Sequence, residues 1–150
     1  MGDLGEPQEV RFAFDFYPLQ GPEHTRIWRF FQHLKEGRLT TTKCTACGVL
    51  LWQPRVVCPA CNGDALEWVD LPPTGRLFAF TAVYAGAPLG LERDVPFVVA
   101  VVELDGSPVK VVARVDGATY EDLRIGDPVS LKVVELQDGR VWFRFFRVRR

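Results

Sequence analysis

The stretch KCTACGVLLWQPRVVCPACNG, Lys43 to Gly63, holds all four cysteines of a 150-residue chain, spaced C-x2-C-x10-C-x2-C. A C-x2-C pair turns tightly enough to aim both sulfurs at one point, about 2.3 Å from a zinc ion, and two such knuckles complete a tetrahedron. Gly48 follows Cys47 and Gly63 lies two residues past Cys61, giving small or positive-φ positions where backbone amides can face thiolate sulfur. Between the knuckles, Pro54 interrupts any helix in VLLWQPRVV, so a hairpin-like ribbon is expected rather than a helical finger. The expected ligands of one zinc per chain are therefore Cys44, Cys47, Cys58 and Cys61. Four sulfur ligands leave no open coordination position, so the metal's work is structural: it organises a segment too short to fold alone.

Composition sets the surroundings of this ribbon. The chain is 47% hydrophobic and 25% charged with net charge −1, which fits one globular domain, or one with a small appended module. A charge so near zero provides no broad field for polyanions. The N-terminal MGDLGEPQEV has no basic region followed by an apolar run, and no window approaches the roughly 18 apolar residues of a membrane span. The expectation is a cytoplasmic protein without membrane association, where clustered thiols serve as metal ligands rather than disulfides.

Upstream, GPEHTRIWRFFQHLKEG predicts a helix, with Pro22 at its first turn, Glu23 at the positive end of the dipole and Gly37 at the C-terminal cap. Ile27, Phe30, Phe31 and Leu34 form one apolar stripe, widened by Trp28. The preceding FAFDFYPL, Phe12 to Leu19, reads as an extended aromatic arm.

Downstream, LEWVDL (Leu66 to Leu71) is a short strand candidate and PPTG a turn. Five longer strands follow, Gly75–Gly86, Pro96–Leu104, Pro108–Val115, Pro128–Leu136 and Arg140–Arg149, with Asp105-Gly106 and Asp138-Gly139 as hairpin turns. The longer DGATYEDLRIGD between the third and fourth leaves room for a turn of helix at Tyr120 to Leu123. Five antiparallel strands with that insertion are the layout of an OB-fold barrel. The expected fold is mainly β: an N-terminal arm and helix over 1–37, a zinc ribbon over 38–72 and a five-stranded OB-fold over 73–150.

A helix ending in LKEGRL, a ribbon reading C-x2-C-G…P-R-x2-C-P-x-C, and the later segments PFVVAVVEL and LRIGDPV together resemble the family catalogued as domain of unknown function thirty-five. The resemblance runs from Glu23 to Val148. It implies a rubredoxin-like zinc ribbon joined to an OB-fold and a place in acyl-CoA metabolism, such as lipid or aromatic degradation. It also implies a hetero-oligomer with a thiolase-superfamily protein: a ketothiolase, an acyltransferase of the hydroxymethylglutaryl-CoA synthase type, or a steroid side-chain aldolase. In such complexes the small chain is a non-catalytic scaffold that helps hold coenzyme A or acyl-CoA while the partner performs the carbon–carbon chemistry.

The residues agree that this chain is not the catalyst. Thiolase chemistry needs a nucleophilic cysteine with a base nearby, and all four cysteines are assigned to the metal. His24 and His33, nine positions apart on the expected helix, would lie roughly 13 Å from each other and could not serve one proton or metal. For coenzyme A phosphates, the candidates are Arg55, which matches the family's Pro-Arg pair, with Lys43 and Arg38 flanking the ribbon. The competing role for Arg55 is to offset the charge of the thiolates. Trp52 stands before Gln53-Pro54-Arg55, where a small or apolar residue is expected. Phe78, Phe80 and Tyr84 share one face of the first barrel strand by alternation, which favours core packing over adenine stacking. Two alternatives stay open. One is single-stranded nucleic-acid binding through RVWFRFFRVRR, which interleaves arginines and aromatics but lacks a supporting net charge. The other is an adaptor that never touches coenzyme A.

Overall fold

A computed structural model of the chain describes residues 17–88 and 90–149; Phe12–Phe16 of the expected arm lie outside them. The elements run α1 (Trp28–Lys35), β1 (Thr40–Cys44), β2 (Leu50–Leu51), β3 (Leu66–Asp70), β4 (Thr74–Val83), β5 (Phe97–Leu104), β6 (Lys110–Asp116), a 3-10 turn at Tyr120–Asp122, β7 (Pro128–Glu135) and β8 (Val141–Arg147).

The helix is shorter than its sequence suggests. Gly21 accepts backbone hydrogen bonds from His24 and Thr25, so Pro22 and His24 lie in a tight turn, and the helix begins only at Trp28. His24 and His33 therefore do not share a helix. The other end behaves as expected. The Gly37 amide donates to Leu34 and the Arg38 amide to His33, while Gly37 has φ +79°, which together make a Schellman stop. The apolar stripe buries Phe30, Phe31 and Leu34, with Ile27 partly buried beside them.

The ribbon sheet has the order β2-β1-β3, both pairs antiparallel. Its central strand, TTTKC, carries no apolar alternation. Its three threonines are nevertheless buried, because their hydroxyls find partners: Thr41 donates to the Leu51 carbonyl, and Thr40 meets His33 Nδ1 at 2.8 Å.

The five later strands close into a barrel in the order β4-β5-β6-β8-β7, the OB-fold arrangement. Four contacts are antiparallel, but β6 and β8 run parallel at Val115↔Phe145 and Asp116↔Phe146, so the expectation of a purely antiparallel barrel is corrected. The crossover from β6 to β7 replaces a hairpin, and β8, antiparallel to β7, then closes the barrel in the direction of β6.

A second correction concerns β4. A bulge between Leu77 and Ala79 inverts its alternation, so Leu77 faces the core before it and Phe80 packs on the core after it. Phe78 and Tyr84 are left exposed, at 53% and 63%, contrary to the core-packing reading.

One apolar core joins these parts. Phe30 of α1 contacts Trp52 beyond β2 at 6.1 Å and Phe143 of β8 at 6.4 Å between ring centroids, and Trp52 meets Phe143 at 6.0 Å. Trp52, unexpected before Pro54-Arg55, is thus the ribbon's foot in the core. On β8, Val141, Phe143 and Phe145 point inward. Trp142 packs on Tyr17 and Phe31, so this chain's own arm and helix cover the other face of β8 at that point.

Candidate metal centre and its surroundings

β1 delivers Cys44 at its last residue, and a tight turn brings Cys47 back beside it. The Cys44 amide bonds the Val49 carbonyl at 2.9 Å, and the Gly48 amide returns to the Cys44 carbonyl at 2.9 Å. The second knuckle repeats this pattern fourteen residues on. The Cys58 amide bonds the Gly63 carbonyl at 2.8 Å, and the Asn62 amide bonds the Cys58 carbonyl at 2.8 Å. Each knuckle closes on a left-handed residue, Gly48 at φ +77° and Asn62 at φ +60°. Gly63, singled out from the sequence, is the acceptor of its knuckle rather than its left-handed residue. Asn62 was missed, although asparagine is the side chain that best tolerates this conformation.

The four sulfurs lie within 4.8 Å of one another, with Cys44 to Cys61 and Cys47 to Cys58 each 3.6 Å apart. A tetrahedron with bonds of about 2.3 Å has edges of about 3.8 Å, so the four sulfurs fit one zinc ion. Cys44 and Cys58 are buried, and Cys47 and Cys61 exposed.

Backbone polarity distinguishes the inner and outer thiols. The amides of Cys47 and Ala46 aim at Cys44 and bring its thiol down to about 7 against the opposing effect of burial. The amide of Cys61 lowers Cys58 in the same way. Cys47 receives the Val49 amide, but the neighbouring Cys44 and Cys58 sulfurs outweigh it and push the thiol up to about 11. Cys61, despite the Gly63 amide, is raised by Cys44 and Cys58. Such crowding of thiolates is the situation that a divalent cation relieves.

The three cations expected near the ribbon are not drawn to one point. Arg38 is forked onto Asp70, Nε to Oδ1 at 2.9 Å and Nη2 to Oδ2 at 3.3 Å, and also meets Glu36 at 3.0 Å. Those hydrogen bonds, Asp70 first, raise its already high pKa further. Lys43 sits on β1 opposite Leu50 and Glu67, and alternation sets it on the other face from Thr42. Thr42 is the residue that holds Arg55: its hydroxyl accepts the Arg55 amide at 2.9 Å and donates to the Arg55 carbonyl at 3.1 Å. The Arg55 side chain is exposed and lines a groove of about 370 Å³ with Arg26, Ile27, Pro54, Val56 and Val57. Arg26 was not singled out from the sequence, since only the fold carries the turn at Thr25–Ile27 to the ribbon.

Arg140, Arg144 and Arg147 of the basic C-terminal stretch are compensated by carboxylates. Arg144 meets Asp116 at 3.3 Å, Arg140 meets Asp138 at 2.7 Å, and Arg147 lies 3.8 Å from Asp127. Its aromatics Phe143 and Phe145 are in the core. Among the described residues, no helix is long and apolar enough to cross a membrane.

Comparison with known proteins adds an independent line. Residues 31–67 match the family model described as ChsH2, rubredoxin-like zinc ribbon domain, and residues 68–134 match ChsH2, C-terminal OB-fold domain. A DUF35 domain-containing scaffold protein of Methanothermobacter thermautotrophicus is 30% identical over 82% of this chain and 93% of its own length. Benzoylsuccinyl-CoA thiolase subunit BbsA of Thauera aromatica is 29% identical over 65% of each chain. The solved Ltp2-ChsH2(DUF35) aldolase contains a chain that superposes with a TM-score of 0.68 at 27% identity, covering 79% of this chain and 91% of that one.

Proposed function

Because the chain belongs to the DUF35 family of zinc-ribbon and OB-fold proteins, we propose that it is the non-catalytic scaffold subunit of an acyl-CoA-processing complex. It carries one structural zinc, docks in a cytoplasmic hetero-oligomer with a thiolase-superfamily partner, and helps hold coenzyme A or acyl-CoA for that partner. The carrying observation is the closure of the sulfur cluster. Every cysteine of the chain is in it, so no thiol is spare for the acyl-enzyme step of thiolase chemistry. Cys44, Cys47, Cys58 and Cys61 would hold the zinc, which when bound cross-links the two knuckles. The remaining steps rest on protein groups. Trp52 packs the ribbon on the core and Thr40 bonds it to His33 of the helix, and the exposed Val49, Val56 and Val57 around the knuckles offer apolar surface for docking. The related proteins support this reading by their names: a scaffold protein, a thiolase subunit and an aldolase assembly.

The test is co-expression with a thiolase-superfamily protein of the same genome, followed by gel filtration and metal analysis. The expected result is a stable complex with about one zinc per copy of this chain, and no carbon–carbon or thioester turnover by the chain alone. A monomer that ignores such partners, or turnover by the isolated chain, would overturn the proposal.

A further inference from the structure

Arg114, Arg144 and Arg147 are paired with carboxylates, and Arg76 and Arg124 donate to backbone carbonyls. Arg26 and Arg55, like Arg29, Arg93 and Arg149, have neither kind of partner among the described residues, and Arg26 and Arg55 line one groove together. One wall is the turn Thr25–Ile27 that enters α1, and the other is the ribbon loop Pro54–Val57. Apart from Thr25, the rest of the lining is apolar: Ile27, Pro54, and the exposed Val56 and Val57 at 36% and 47%.

Both backbones are tied down. Thr42 clamps the amide and carbonyl of Arg55, and the Thr25 hydroxyl accepts the Ile27 amide at 3.3 Å. A shallow groove with two forks of N–H donors beside apolar walls suits a ligand that carries adjacent phosphates and a slender uncharged arm. Its volume of about 370 Å³ admits part of such a molecule, not the whole. Arg38 is neutralised by Asp70 and Glu36, and Lys43 faces the other side of β1, so neither joins this pair.

We propose that the Arg26–Arg55 groove is where this chain holds the pyrophosphate of coenzyme A, with the pantetheine arm laid along Ile27, Val56 and Val57. The assignment rests on the scaffold reading above and names its ligand site. Because Arg26 and Arg55 meet at one groove, the ligand this site takes is a small anion rather than a polymer.

The experiment is calorimetric titration of the full, zinc-loaded chain with coenzyme A, ADP and pantetheine at one low ionic strength. It is repeated on Arg26→Ala, Arg55→Ala, the double variant, and Arg93→Ala as a control arginine outside the groove. Zinc content and melting temperature verify that each variant is folded. Coenzyme A should bind more tightly than either fragment, each single variant should weaken it on the order of tenfold, and the double variant should abolish it, while Arg93→Ala changes nothing. Four results would overturn the site: no binding by the parent chain, unchanged affinity in both single variants, an equal loss in Arg93→Ala, or ADP binding as tightly as coenzyme A. Complex formation with the thiolase-superfamily partner is scored on the same variants. If the parent chain forms the complex while any of those four results holds, only the groove assignment falls; if the parent chain forms no complex, the scaffold reading falls with it.

Discussion

Asn62 shows how one residue can stay hidden inside a legible motif. The cysteine spacing announces two knuckles, and a search for glycine finds Gly48 in the first, but the left-handed position of the second holds Asn62 at φ +60°. Replacing it by valine, whose branched side chain resists that conformation, should cost about 1–2 kcal/mol. Since metal binding and ribbon folding are one equilibrium, the loss reads as roughly tenfold weaker zinc retention against a competing chelator. Asn62→Gly should hold zinc as the parent does, and equal retention by Asn62→Val would remove the strain argument. A second residue was placed correctly on the helix but given no partner. His33 lies between Thr40 and the Trp68 ring, and burial, then Arg38, keeps its pKa below the usual 6.5. The folded chain therefore binds fewer protons than the unfolded chain as the pH falls through 6.5, so stability should decline in that direction. Denaturant titrations at about pH 7.5 and about 5.5 should show a steeper loss in the parent than in His33→Gln, which keeps a polar group for Thr40 but cannot titrate. Parallel losses in the two proteins would show that other groups carry the pH dependence.

Among the elements, β4 best separates what a pattern reveals from what it conceals. Its length and apolar character are plain in GRLFAFTAV, but FAF alternation puts Phe78 and Phe80 on one face, and a one-residue bulge separates them. Bulges leave no mark in a period-two pattern, just as the late start of α1 left none in its 3.6-residue stripe. The bulge makes an uneven prediction for neighbours: Leu77→Ala should cost about 2–5 kcal/mol, whereas Phe78→Ser should stay within about 0.5 kcal/mol of the parent. A large loss at Phe78 and a small one at Leu77 would mean that the strand is in the other register. Gly75 tests the closeness of β4 to β5. A β-carbon there would collide with the Glu103 carbonyl oxygen and come within 2.8 Å of Val102 Cγ1. No rotamer relieves a clash with backbone, so Gly75→Ala should lower stability by about 1–3 kcal/mol in denaturant titration. A neutral result would mean that the two strands lie further apart.

At the scale of the whole molecule, local signals and closure part company. The two hairpins announce themselves through Asp105-Gly106 and Asp138-Gly139, whose glycines take φ +69° and +85°. The parallel seam of β6 with β8 and the triangle of Phe30, Trp52 and Phe143 join residues far apart in sequence, and no local pattern specifies them. That triangle makes the metal's influence reach beyond the ribbon. If Trp52 ties the ribbon to the barrel, removing zinc should expose Trp52, loosen the packing on Phe143, and lower the protection of buried barrel amides such as Val102 and Val111 against hydrogen exchange. In Trp52→Ala the same chelation should leave those amides unchanged, because the ribbon then melts alone. The variant begins from a less stable barrel by about 2–3 kcal/mol, so the informative quantity is the response to chelator rather than the absolute protection. Barrel amides indifferent to chelation in the parent chain would show that the ribbon hangs on the barrel without supporting it. A scaffold needs the opposite, because a docking surface shaped by the metal can hold a partner in register with the barrel only if the two move as one body.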